Sequence, residues 1–344
     1  MVNKPKKILI VRTDRLGDVI LSTPVISNLR NYFPDAYIAF MCRPYVKDVL
    51  EKNPYLDEVI IYDKYGKHKS FWGSFDFSLQ LRKNNFDWAI ILHPTNRAHW
   101  ITFLSGIRLR AGWSKKMDCL LSRKIRHDKE KGEKHELEYT LDILRSMDIP
   151  IVNKQTYFPI TEEAVINIKK MLEAKSIDAN QKLIVIHPSA SCVSKRWPLE
   201  YFSQLIKLLN ENLPHKLVII SSAEEKDDLN RLFHDHLLVD FRGRCTISEI
   251  GALIKRSSLF ISNDSGPVHI AASLNVPVIS IFGRNNPGLS PLRWKPLGLR
   301  SIYLHKPAGC LKCQAHQCTK KFLCLRSIKA KEVYLLALNM ISGI

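Results

Sequence analysis

"ISNDSGPVHIAASLNVPVISIFG", residues 261–283, passes from strand to helix to strand in one short stretch. An apolar strand closes at Ser262. Asn263, Asp264 or Ser265 can cap the helix that follows, and Pro267 suits its first turn, where a missing N–H costs nothing. The helix carries small apolar residues (Ile270, Ala271, Ala272, Leu274), and "VPVISIF", 276–282, is a second apolar strand. Two continuous apolar strands joined by a helix make a parallel unit, since parallel neighbours need a crossover and lie buried on both faces. The same beat precedes it in "LIVIH" (183–187), a helix opened by Pro198, "KLVII" (216–220), "LLVDF" and "LFIS" (259–262). It also runs through the first half in "KILIV" (7–11), a helical stretch from Asp18 to Tyr32, "YIAFMC", "EVIIY" and "DWAIIL".

The fold class expected is therefore α/β, with two Rossmann-like doubly wound parallel-sheet domains at 1–160 and 161–326. Two such sheets in tandem would face each other across a cleft, with ligands at the carboxyl ends of the strands. A last helix at 327–344, with Val333, Leu336 and Met340 at helical spacing, could pack back on the first domain.

Fifty-two Lys and Arg against 33 Asp and Glu give a net charge of +19, which favours a polyanionic partner: nucleic acid, an anionic membrane surface or a phosphorylated glycan. One stretch, Lys115 to His135, is densest in charge and reads either as a solvated basic loop or as an acceptor-binding one. The apolar run Ile8–Val11 is too short for a signal-peptide core, and no run of about eighteen apolar residues could span a membrane, so a soluble chain is expected. Nucleic acid is disfavoured, because no recognised nucleic-acid motif and no basic-aromatic interleaving is present.

Chemistry is expected in the strand-to-helix turns. Neither domain's first turn carries G-x-G-x-x-G, and no G-x-x-x-x-G-K-[ST] occurs, which argues against a dinucleotide and against a P-loop. The turn at 263–267 puts Gly266 where backbone N–H groups can approach a ligand, and a helix start is an anion site. His269 lies one turn in, on the ligand-facing side if Asp264 is. In "IHPSASCVSKRWPLEYF" the hydroxyls of Ser189, Ser191 and Ser194 lead to Lys195 and Arg196 just before a helix, an arrangement that suits a pyrophosphate. "RTDRLGDVILSTP", 12–24, gathers Arg12, Asp14, Arg15 and Asp18 around Gly17, the glycine expected to let the strand reverse into a helix.

These stretches, with "HELEYTLDILRSMDI" and the tail "CLKCQAHQC", occur in an order and spacing that resemble glycosyltransferase family nine, the ADP-heptose:lipopolysaccharide heptosyltransferases of GT-B fold. The resemblance covers almost the whole chain. It implies inverting transfer of a heptose from ADP-heptose to a sugar hydroxyl of the lipopolysaccharide inner core, on Kdo-lipid A or a heptosylated core. It places the enzyme in the cytoplasm, peripheral at the inner face of the inner membrane, with no nucleic-acid partner and no cofactor required for catalysis. It implies Asp18 as general base, Lys195 on the diphosphate, and Asp264, Ser265, Gly266 and His269 on phosphates and sugar. Glu225, or Glu224 beside it, would hold the ribose. Ser189 joins the donor set, while Arg12 and Arg15 would serve phosphates or the acidic acceptor. With no Asp-x-Asp pair to hold a metal on the diphosphate, Lys195 and helix dipoles are left to meet the leaving group.

Two features depart from the family pattern: Ser221-Ser222 stands where many relatives have glycines, and "FGRNNPGLSP" replaces a more usual Gly-Pro-Thr-Asp-Pro. Other readings are a transferase using a different nucleotide sugar, on a protein or capsule glycan, and a non-catalytic nucleic-acid binder. Cys310, Cys313, Cys318 and Cys324 have spacing that fits a structural zinc or iron site, the alternative being a plain hairpin of reduced thiols.

Overall fold

Six strands, β1 (Lys7–Val11), β2 (Tyr37–Cys42), β3 (Glu58–Ile61), β4 (Trp88–Ile91), β5 (Leu109–Ser114) and β6 (Arg123–Arg126), pair in parallel in the order β3-β2-β1-β4-β5-β6. Six more, β7 (Leu183–His187), β8 (Lys216–Ile219), β9 (Leu238–Asp240), β10 (Leu259–Asn263), β11 (Val278–Phe282) and β12 (Ser301–His305), form a second parallel sheet, β12-β11-β10-β7-β8-β9. This computed structural model describes residues 4–225, 229, 238–310 and 312–342, and its contacts divide the chain into units Met1–Pro159 and Ile160–Ile344. Both sheets have the doubly wound order 3-2-1-4-5-6, the Rossmann-like pairing of a GT-B chain. Successive strand residues point to opposite faces, and Ile8, Leu9, Ile10 and Val11 are all buried, so this strand is covered on both sides.

Helices of the first unit are α1 (Leu16–Ile20), α2 (Thr23–Tyr32), α3 (Phe71–Arg82), α4 (Asn96–Leu104) and α5 (Glu136–Arg145). Those of the second are α6 (Glu162–Glu173), α7 (Leu199–Asn212), α8 (Ile247–Arg256), α9 (Gly266–Ser273), α10 (Pro291–Trp294), α11 (Leu323–Arg326) and α12 (Ala330–Ser342). On α7, Phe202, Leu205, Ile206 and Leu209 recur at i, i+3, i+4 and i+7 and are buried. Against them α12 sets Ala330, Val333 and Ala337 in the same core cluster. By sequence, packing back on the first domain is one possibility for this last helix; the face that Ala330, Val333 and Ala337 bury lies in the core of the second unit.

Two local expectations also change. The stretch expected as one helix from Asp18 to Tyr32 is two, α1 and α2, and the break falls where Pro24, in the first turn of α2, has no N–H to continue a ladder. Gly17 lies inside α1 and is not among the left-handed glycines, so the backbone there does not call for glycine. No helix of the described residues is long and apolar enough to cross a membrane.

Candidate active site

In a doubly wound sheet, ligands bind beyond the strand ends at the point where the order reverses. For the first sheet that point lies between β1 and β4, and the residues following those strands are Arg12 and the Leu92-His93 pair. Arg12 is 1% exposed and does not reach outward. Its guanidinium meets three carboxylates: Nη2 donates to Asp18 Oδ1 at 2.7 Å and to Glu136 Oε1 at 2.9 Å, and Nε pairs with Asp14 Oδ2 at 3.2 Å. Lys129 Nζ donates to the same Glu136 oxygen at 3.0 Å. The expected role of Arg12 in binding an acceptor or phosphate is therefore corrected, because its charge is spent inside the protein. Arg15, by contrast, is exposed at the start of α1.

Arg12 and Lys129 face Asp14, Asp18 and Glu136, leaving one surplus negative charge, and Asp18 is the carboxylate placed to relieve it. Burial, the largest influence, raises its pKa above the ordinary 3.8; Arg12 opposes the rise, while Asp14 and Glu136 reinforce it. Its side chain keeps 16% of its surface exposed. Burial thus acts against the pull expected from its place in the first turn of a helix. His93 Nδ1 lies 3.5 Å from Asp14 Oδ2. Burial, with Arg12 and Lys129 nearby, pushes His93 down to about 3, so it is a neutral imidazole at ordinary pH. Tyr45 closes another side, its hydroxyl donating to the Asp14 carbonyl at 3.4 Å.

The second sheet reverses between β7 and β10. Asp264, just beyond β10, is buried and its Oδ2 pairs with Lys195 Nζ at 2.9 Å and Arg284 Nη2 at 3.2 Å. Two cations on one carboxylate leave a net positive charge, beside the start of α9. There Ser265 sits at the N-cap without a side-chain capping bond, and Ser265, Gly266 and Pro267 are partly exposed whereas 268–272 are buried. Of the three candidate caps Ser265 takes the N-cap position, without a side-chain bond into the helix. Ser265 Oγ is instead 2.9 Å from Ser262 Oγ and 3.2 Å from His187 Nδ1, and Asn263 ties two loops, its Nδ2 donating to the Pro188 carbonyl and its Oδ1 accepting from Trp197 N–H.

His187 is the hub of this turn. Its Nε2 lies 3.0 Å from Ser189 Oγ, so Ser189 is buried and engaged within the protein. Burial drives the imidazole down to about 4, and it stays neutral among these hydroxyls. His269 is 4% exposed and offers a ligand little surface. Glu225 accepts from Ser222 Oγ at 3.2 Å and pairs with Arg196 Nη2 at 3.7 Å, while Arg196 Nε donates to the Ala190 carbonyl. Arg284 falls in the stretch that departs from the family pattern.

The cysteine tail folds against the same loop. His316 Nδ1 is 3.3 Å from Ser194 Oγ, and the four thiols line one cavity of about 460 Å³ together with Ser194 and Arg284. Burial first, then the other three thiols, raises the pKa of Cys324. Among the described residues no three His, Cys, Asp or Glu side chains are grouped to hold a metal ion.

Known proteins share this fold. The sequence is 27% identical to lipopolysaccharide heptosyltransferase 3 of Escherichia coli K12, over 81% of this chain and 82% of that one. A family 9 glycosyl transferase of Veillonella parvula has the same fold, with a TM-score of 0.86 at 22% identity over 98% of both chains. The E. coli ADP-heptose lps heptosyltransferase II follows at 0.79 and 21%, covering 98% of this chain and 99% of that one. The model of glycosyltransferase family 9 (heptosyltransferase) matches residues 75–323, well over half of the sequence, and the chain belongs to that family.

Proposed function

We propose that this glycosyltransferase moves a heptose from ADP-heptose to a sugar hydroxyl of the lipopolysaccharide inner core in a single inverting displacement. The observation that carries the reading is Asp18: a partly exposed carboxylate at the first switch point, gripped by a buried arginine and raised in pKa by burial. The first unit would hold the acceptor, Kdo-lipid A or a heptosylated core, with exposed Arg15 toward its acidic groups. The second would hold the donor, and the enzyme would work in the cytoplasm, peripheral to the inner membrane.

Asp18 takes the proton of the acceptor hydroxyl as that oxygen bonds to the anomeric carbon. The bond from that carbon to the β-phosphate oxygen breaks, its electron pair leaves with ADP, and protonation of Asp18 leaves two cations facing two carboxylates. On the leaving group, Lys195, Arg284 and the start of α9 meet the developing charge. Asp264 holds both cations in place until the diphosphate competes for them. Glu225 stands ready for the ribose hydroxyls and Arg196 orients it.

The test is a panel of nucleotide sugars offered with a heptosylated or Kdo-bearing acceptor. ADP-heptose should be consumed fastest; a preference for a UDP- or GDP-sugar overturns the assignment. The donor loop has its own check in Gly283. A Cβ there would lie 2.8 Å from the Ser194 carbonyl oxygen and 2.7 Å from Leu325 Cγ. The leucine can turn aside, but the carbonyl belongs to the backbone beside Lys195. Gly283→Ala should therefore weaken ADP binding by roughly tenfold, in line with the usual cost of overpacking. Unchanged ADP affinity by calorimetry would show that the loop and Lys195 move independently.

A further inference from the structure

Helix α3 has two apolar faces. Ser74, Phe77, Ser78 and Leu81 are buried at i, i+3, i+4 and i+7, which accounts for its packing. Phe71 and Trp72 are nonetheless 62% and 74% exposed. They join Phe75 and, across on α4, Trp100 in one set of ring contacts, with Phe71 and Trp100 centroids 5.5 Å apart. Adjacent exposed aromatics of this size form a patch that a monomeric soluble surface rarely leaves uncovered.

The rim of the patch is basic. Lys67 and Lys69 are exposed, and Arg97 on α4 donates to the carbonyls of Lys64 and Lys69, drawing that loop against the aromatics. The nearby acids are Asp63 and Asp76. Asp63 accepts from the backbone N–H groups of Tyr65, Gly66 and Lys67, and Asp76 accepts from Gln80. Three cations, Lys67, Lys69 and Arg97, against two carboxylates leave the rim positive. The same loop touches the catalytic turn, since Lys64 Nζ donates to the Thr13 carbonyl at 2.7 Å.

We infer that this face of α3 and α4 docks on an anionic lipid bilayer, the aromatic rings entering the headgroup boundary and the basic rim lying against lipid phosphates. Charge complementarity selects this occupant. A second copy would bring the same positive rim against itself, whereas a bilayer supplies both the apolar depth and the negative charge. The inference deepens the membrane-peripheral part of the proposed function, because it would set the Asp14–Asp18 turn beside the surface that carries a lipid-linked acceptor.

The experiment is flotation of the full chain with vesicles of phosphatidylcholine mixed with phosphatidylglycerol, and with phosphatidylcholine alone. The wild-type chain should float with the mixed vesicles, less so at high salt, and remain behind with the neutral ones. The double variant Phe71→Ser/Trp72→Ser changes only exposed side chains. It should bind about tenfold or more weakly, since apolar insertion scales with the area withdrawn from water. Its ADP affinity and its transfer to a soluble, deacylated acceptor should stay at the wild-type level. A wild-type chain that ignores the mixed vesicles, a double variant that floats as well as wild type, or a wild-type dimer that the double variant dissolves would each overturn the inference. Failure of heptosyl transfer itself would show only on the soluble acceptor, so the two readings fail separately.

Discussion

Asp18→Asn should lower kcat by about a hundredfold to ten-thousandfold, the range for losing a positioned general base, and leave ADP binding as it was. The substitution keeps the shape and one hydrogen-bond acceptor for Arg12, so the turn should hold its geometry. What it removes is an oxygen pair that is both partly exposed and raised in proton affinity by burial. The pH profile tests the same point independently. The base must be ionised, so kcat/KM should fall as pH drops through the Asp18 pKa, at an acid limb above the ordinary 3.8. His93, pushed down to about 3, is neutral throughout that window, and His93→Gln should leave the limb in place. An Asp18→Asn enzyme with undiminished turnover, or a limb that moves with His93, would remove Asp18 from the role.

The interior strands were legible because a strand covered on both faces must be apolar at every position, and "KILIV", "LIVIH" and "VISIF" are. The strands that escaped notice include the edges. β6 reads "RKIR" and β12 reads "SIYLH", each with only one neighbour, exposed side chains and no continuous apolar run. Likewise Asp18, Lys195 and Asp264 stand in short turns whose composition announces them. Glu136 and Lys129 do not, because Arg12 meets Glu136 across 124 residues of chain. Arg12 was misread for the same reason: a charged residue in a loop reads as exposed until the distant acid that buries it is found. The available signal was Glu136 itself, an acid opening the amphipathic helix α5 inside a stretch that already carried the family likeness.

Arg12→Met should destabilise the first unit by about 3–5 kcal/mol at neutral pH, the usual cost of breaking a buried ion pair by removing one partner. The residue replaced is nearly isosteric in its stem, so packing is kept and the loss is electrostatic. In the wild-type chain burial works against the Arg12 charge, yet Asp18, Glu136 and Asp14 outweigh it and raise its pKa. In the variant those three acids lose the cation they share, while Lys129 stays bonded to Glu136. The folded pKa of Asp18, which Arg12 now holds back, must then climb further above the unfolded one, so the fold is favoured where Asp18 is protonated and loses that advantage as pH increases through the raised value. The stability gap between Arg12→Met and wild type should therefore be widest near neutrality and narrow as pH falls toward the carboxylate range. Denaturant midpoints measured across that range decide the matter. A constant gap would mean that the methionine harms packing rather than charge, and no gap at all would mean that the cluster does not rest on Arg12.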